Sequence, residues 1–153
     1  MPLVKVETLD ALRNLSGEEL AVTPWFEVRQ ERIDRFADAT EDHQWIHVDC
    51  ERAQRESPYG ATIAHGFLTL SLLSRFMREA LEVGGLRMAV NYGLNRVRFP
   101  SPVRSGSRVR ARIVLKSVRE LQEAVEATYS ATIESEGSEK PCCVAEWLVR
   151  YYR

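Results

Sequence analysis

The chain contains three histidines in 153 residues, and all of them fall in one short region. Asp42-His43-Gln44-Trp45-Ile46-His47 is followed, after a spacer, by Ala64-His65-Gly66-Phe67. Carboxylate and imidazole are the side chains that exchange protons near neutral pH. A carboxylate beside every histidine of the chain is therefore a candidate active site. Taken singly, Asp42 also reads as a turn acid after Thr40, and His47 as an ordinary half-buried histidine. Only a fold that brings these groups together turns the cluster into chemistry.

The elements available to position them read differently in the two halves of the chain. Trp25 to Val28 reads as a short strand. Residues 29–39 place Ile33, Phe36 and Ala37 on one helical face, with Glu31, Arg32, Asp34 and Arg35 elsewhere. A short surface helix over 49–55 takes Asp49 as its N-cap, and Pro58-Tyr59-Gly60 is a turn. From Gly66 to Met77 the apolar residues Phe67, Leu68, Leu70, Leu72, Leu73, Phe76 and Met77 surround the axis, which predicts a helix buried on nearly all sides. Gly84-Gly85 is the expected end of that helix.

The second half reads as β. Val109, Ala111, Ile113 and Leu115 alternate with polar residues, as do Val125 to Ile133 and Cys143 to Tyr151. Residues 88–99 make a fourth strand. Turn punctuation at 100–106, 119–122 and 137–141 suggests consecutive hairpins, hence an antiparallel sheet. One buried helix with a long antiparallel sheet predicts an α+β domain, spanning 1–153, in which the sheet wraps the helix. Such a sheet has an edge strand to manage, and edge-to-edge dimerisation is one solution.

Composition narrows the function. A net charge of -1 removes the electrostatic driver of nucleic-acid binding. No apolar run is long enough to span a bilayer, and the acid-bearing N-terminal segment is unlike a signal peptide. Cys50, Cys142 and Cys143 are odd in number and lack metal-knuckle spacing. They read as free thiols in a reducing cytoplasm, packed as small hydrophobes.

Residues 36–49 (Phe-Ala-Asp-Ala-Thr-Glu-Asp-His-Gln-Trp-Ile-His-Val-Asp) and 63–67 (Ile-Ala-His-Gly-Phe) resemble the MaoC-like (R)-specific enoyl-CoA hydratases and 3-hydroxyacyl-thioester dehydratases. Within that family the nodulation-protein-N-like subgroup is the most similar. The likeness extends over nearly the whole chain, through Asn91 to Pro100. It implies the hot-dog fold, a long helix wrapped by an antiparallel sheet, to which the edge-strand argument adds a homodimer. It also implies an Asp42–His47 catalytic dyad, an oxyanion and substrate contact at His65-Gly66, and a supporting serine at Ser74. No cofactor or metal is implied, and the substrate is an acyl-CoA or acyl-carrier-protein thioester. Gln44-Trp45 departs from the Asn-Pro found in many relatives, which bears on pocket shape more than on chemistry.

The resemblance implies addition of water across a trans-2-enoyl thioester, or its reverse. Asp42 accepts a water proton, His47 orients the water and takes part in proton delivery, and the Gly66 N–H at a helix start receives the developing oxyanion. His43 falls outside the motif. Arg96, Arg98 and Arg104 are candidates for coenzyme A phosphates or an acidic carrier surface, or are simply solvated. Three rivals stand beside this reading. His47-Val48-Asp49 resembles an iron-ligating pair, but no histidine follows His65 to complete it. A thioesterase on the same fold would release free thiol. A non-catalytic acyl-thioester-binding subunit would tolerate loss of Asp42.

Overall fold

The computed structural model describes residues 1–153. In chain order it comprises β1 (Val4–Val6), α1 (Leu9–Arg13), β2 (Glu19–Val22), β3 (Phe26–Glu27), α2 (Gln30–Thr40), α3 (Trp45–Val48), α4 (Cys50–Glu56), α5 (Gly66–Ser71), α6 (Leu73–Ala80), β4 (Leu81–Val83), β5 (Met88–Arg98), β6 (Arg108–Glu120), β7 (Ala124–Ser135) and β8 (Cys143–Tyr152). The main sheet is antiparallel with strand order β2-β6-β7-β8-β5, and β3 also pairs with β6. β1 and β4 form a separate parallel pair.

The alternating pattern assigns the sheet's faces. Val109, Ala111, Ile113 and Leu115 of β6 are buried, as are Cys143 to Tyr151 at every second position of β8. These side chains share one core with Leu68, Leu72, Leu73 and Phe76 of the central helix. Fully burying one large apolar side chain contributes about 1.5–3 kcal/mol, so sheet and helix stabilise each other. The opposite face carries cross-strand ion pairs: Glu134 with Arg110 and Arg112, Glu146 with Lys116, and Glu126 with Arg119 and Arg150. This is the sheet wrapped on a helix that the pattern predicts, and the hot-dog fold that the resemblance implies.

Three expectations change. The central helix ends at Ala80 rather than at Gly84, because Leu81 leaves it in extended conformation and pairs with Val4. Gly84 serves that strand pair instead: a Cβ there would lie 2.6 Å from the Glu7 carbonyl oxygen. Residues 100–106 do not close a hairpin, because β5 and β6 lie at different places in the sheet. They cross over and bond to the segment before the central helix, Ala64 N–H donating to Val103 O at 2.7 Å and Ser105 N–H to Thr62 O at 2.9 Å. The helix is not apolar and buried all round either, since Phe67 is 71% exposed.

The helix is also hitched. The Leu72 N–H lies within reach of both Leu68 O, at 3.1 Å, and Thr69 O, at 3.2 Å. Ser71 Oγ donates to Phe67 O at 2.7 Å. A side-chain bond back to the i−4 carbonyl bends a helix at this kind of position, and α5 passes into α6 through a single tight turn.

Candidate active site

α2 ends at Glu41, whose φ of 60° puts it in the left-handed region. That turn redirects the chain so that Asp42 follows α2 directly and precedes α3. Asp42 stays about half exposed, and its Oδ1 accepts the Gln44 N–H at 3.3 Å. His47 sits on the single turn of α3 and is buried. Its Nδ1 lies 2.7 Å from the Ile63 carbonyl oxygen. A carbonyl only accepts, so Nδ1 carries the proton and Nε2 is left as the basic nitrogen.

His65 completes the cluster. Its ring stacks on His47, with centroids 3.8 Å apart and planes at 21°. Its Nε2 donates to the Asp42 carbonyl oxygen at 3.0 Å, and Phe36 packs against the ring at 4.9 Å. His65 thus ties the start of the central helix to the Asp42 turn. Its Nδ1 is buried without a hydrogen-bond partner. Gly66 follows at once as the first residue of α5, so its N–H lacks an intrahelical acceptor. A Cβ on Gly66 would stand 3.1 Å from the Phe99 ring, which accounts for glycine where the chain must leave room.

Electrostatics favour a neutral His47. Burial is the largest influence and lowers its pKa from 6.5; the Ile63 carbonyl opposes the shift, the His65 ring adds to it, and Asp42 opposes it. The imidazole is therefore ready to accept a proton at neutral pH. One donor atom from each of Asp42, His47 and His65 lies within 4.8 Å of the others, which raises the possibility of a cation. Stacked imidazoles hold their in-plane lone pairs in two nearly parallel, separated planes, whereas an ion bound by both must lie close to both planes at about 2.1 Å from each nitrogen. The geometry suits a water between carboxylate and imidazole better than a metal, and iron ligation through Asp49 fails outright, because the Asp49 carboxylate caps α4 by accepting the Arg52 N–H at 3.0 Å.

The other candidates fall elsewhere. His43 turns back to α2, its Nε2 2.8 Å from Asp38 Oδ1. Ser74 lies two turns down the helix from Gly66, where its Oγ accepts from Asn91 Nδ2 of β5 at 3.3 Å; it makes no bond to Asp42 or His47. Trp45 packs under the Arg52 guanidinium at 4.3 Å. Arg96, Arg98 and Arg104 are exposed along β5 and the crossover. Sequence reasoning missed Gln30. Its Nε2 donates to the His47 carbonyl at 2.7 Å while its Oε1 accepts from Thr62 at 2.5 Å. Gln30 thereby clamps α3 from a distance of 17 residues along the chain, and no local pattern marks such a contact.

Comparison with known proteins follows the same lines. The MaoC like domain model matches residues 12–135. The chain is 53% identical over 146 residues to 3-hydroxyacyl-thioester dehydratase Z of Mycobacterium tuberculosis, covering 95% of this chain and 96% of that protein. It is 50% identical over 134 residues to Nodulation protein N of Rhizobium leguminosarum bv. viciae, covering 86% and 83% respectively. Among solved structures, a monoamine oxidase regulatory protein from Archaeoglobus fulgidus superposes with a TM-score of 0.78 at 20% identity, covering 100% of this chain and 99% of that one. An (R)-hydratase from A. caviae involved in PHA biosynthesis gives 0.71 at 24% identity, covering 86% and 95%. At these identities the two structures speak for the fold alone, whereas the family match and the closer relatives reach further: this chain belongs to the MaoC-like family.

Proposed function

We propose that the protein is a hydro-lyase that adds water to trans-2-enoyl thioesters with (R) stereochemistry, and in reverse dehydrates (3R)-hydroxyacyl thioesters. The observation that carries this reading is the Asp42 carboxylate within 4.8 Å of a His47 ring nitrogen, in one cluster with His65, whose chain neighbour Gly66 opens α5 with an unpaired N–H. Both dyad groups are acceptors in this state. A water of about 2.8 Å reach to each would donate both protons and turn its lone pair towards C3 of the enoyl chain. As the C–O bond forms, the dyad takes one proton and the electrons move to the thioester oxygen, where the Gly66 N–H receives the charge. The proton taken from water then goes to C2, and the dyad returns to its starting state. The His47 tautomer supports a direct part for Nε2 in this transfer, alongside Asp42.

The identity to a 3-hydroxyacyl-thioester dehydratase over nearly the full length of both chains supports the substrate class. Coenzyme A or a carrier protein would hold the acyl group, with no metal or redox cofactor in any step. No helix is long and apolar enough to cross a membrane, and all three cysteines are free, which suits a cytoplasmic enzyme. β5 lies at the sheet edge with Met88, Val90, Tyr92 and Leu94 exposed, a surface for a second copy of the chain to complete a homodimer.

The test follows the loss of enoyl-thioester absorbance with crotonyl-CoA and longer enoyl-CoAs, in the presence of chelator. Wild type should turn over to an (R)-3-hydroxyacyl product, and Asp42→Asn and His47→Ala should each lose about 10²–10⁴-fold. Release of free thiol would instead identify a thioesterase. A folded protein inert to coenzyme A and carrier-protein substrates alike would leave only acyl-thioester binding.

A further inference from the structure

A cavity of about 440 Å³ opens between α6 and the inner faces of β5 and β8. Most of its wall is apolar, with Met77, Leu81 and Val149 prominent. A smaller cavity of about 210 Å³ adjoins it, sharing Ser74, Asn91 and Trp147 and reaching back to Leu70. Leu70, Ser74 and Met77 recur at helical spacing along one side of α5 and α6, and Leu81 follows at the start of β4. The two cavities form a groove along the helix, and on the acyl-thioester reading the acyl chain lies in it.

Tyr151 stands in the wall of the larger cavity. Its hydroxyl oxygen lies 2.6 Å from that of Tyr129, a fully buried residue of β7 that does not reach the cavity. Two phenols carry two hydroxyl protons, and the contact between them uses one. Neither oxygen has another hydrogen-bonding partner in the protein. If Tyr151 donated, the Tyr129 proton would be stranded in the core at the full cost of an unmade bond. Tyr129 therefore donates, and the unused proton belongs to Tyr151, the residue at the cavity. Burial drives both phenol pKa values up, that of Tyr151 to about 12, so both remain protonated throughout the physiological range.

A saturated chain lying against this wall would leave the Tyr151 hydroxyl unpaired. We propose that the cavity selects acyl chains bearing a neutral oxygen, a ketone or hydroxyl, distant from the thioester, and that the Tyr151 O–H recognises that oxygen. The proposal rests on the acyl-thioester reading. From Gly66 to Ser74 the helix advances about 12 Å at ~1.5 Å per residue. Tyr151 stands farther along still, two residues past the Val149 that pairs with Asn91, the partner of Ser74, so the oxygen belongs on the distal part of a long acyl chain. Arg78 lines the same cavity without a carboxylate partner, so a terminal carboxylate is the competing ligand to separate.

The experiment compares kcat/KM for trans-2-enoyl-CoAs of equal length: unsubstituted, with a distal oxo group, and with a terminal carboxylate. The enzymes are wild type, Tyr151→Phe and the double variant Tyr129→Phe/Tyr151→Phe, which leaves no hydroxyl unpaired and so guards against misfolding. Wild type should favour the oxo chain by roughly tenfold, the worth of one hydrogen bond. Both variants should lose that preference, bringing the ratio of kcat/KM for oxo and unsubstituted chains to about one. Brisk wild-type turnover with equal kcat/KM for oxo and unsubstituted chains would overturn the proposal and leave the hydratase intact. So would a preference that survives the double variant, and a dominant carboxylate preference unaffected by Tyr151→Phe would transfer recognition to Arg78. Inertness of folded wild type towards every enoyl thioester would remove the acyl-thioester reading and this proposal with it.

Discussion

His47 is made a base by the bond on its other nitrogen. The Ile63 carbonyl holds Nδ1–H at 2.7 Å, which fixes the tautomer and aims Nε2 away from that contact. Burial then keeps the ring neutral, by lowering its pKa below 6.5. The consequence for catalysis is a flat pH profile of kcat/KM through neutrality, with an acid limb whose midpoint lies below pH 6.5. Steady-state kinetics from pH 4.5 to 8 would check it, and a midpoint above 6.5 would contradict the desolvated base. Stability follows the same sign. The unfolded chain binds the His47 proton more readily, so this contribution to stability is full above about pH 6.5 and falls as pH drops towards the folded-state value. His65 adds to the effect, because two stacked imidazoles 3.8 Å apart resist carrying charge together.

Short elements, more than long ones, hold the site in place. α3 is a single turn, too short to be stable alone, and it is anchored by Gln30 and Thr62 from outside. The crossover from β5 to β6 fastens the residues before α5, through Ala64 to Val103 and Ser105 to Thr62. At the far end of the central helix, the β1–β4 pair terminates α6 and brings Gly84 against Glu7. Gly84→Ala would press a methyl onto a backbone oxygen at 2.6 Å, and the backbone has no rotamer by which to yield. The expected cost is about 1–3 kcal/mol, read as a lowered midpoint in urea denaturation, with kcat/KM of the folded fraction unchanged because the dyad is at the other end of the helix.

The whole molecule leaves one edge of its sheet unmanaged. β5 runs for 11 residues beside β8 with nothing on its outer side, and its exposed positions include Val90, Tyr92 and Leu94. An apolar edge strand of this length invites pairing with another copy. Val90→Lys combined with Leu94→Lys should convert the expected dimer to a monomer, measured by light scattering on a size-exclusion column. A wild type that is already monomeric at micromolar concentration would remove the dimer from the account. The ion pairs on the outer face belong to a different class. They are spread over neighbouring strands, and the more exposed pairs contribute at most about 1 kcal/mol each; Glu126, buried between Arg119 and Arg150, is the exception.

The α+β class, the long strands and the Asp42–His47 segment proposed as the dyad were legible in the sequence because each is a local pattern. Alternation with period two marks β6, β7 and β8, and a dense apolar run marks the central helix, since side-chain direction repeats with the backbone. Asp42 and His47 were legible for the same reason, both lying within one short segment. Long-range contacts carry no such signature. Tertiary structure alone decided that His65 stacks on His47, that Gln30 braces α3, that residues 100–106 cross the sheet instead of closing a hairpin, and that Gly84 meets Glu7. It also decided the tautomer of His47, because the acceptor that selects it comes from Ile63, and the Tyr129–Tyr151 pair, because two strands must lie side by side before two hydroxyls can share a proton.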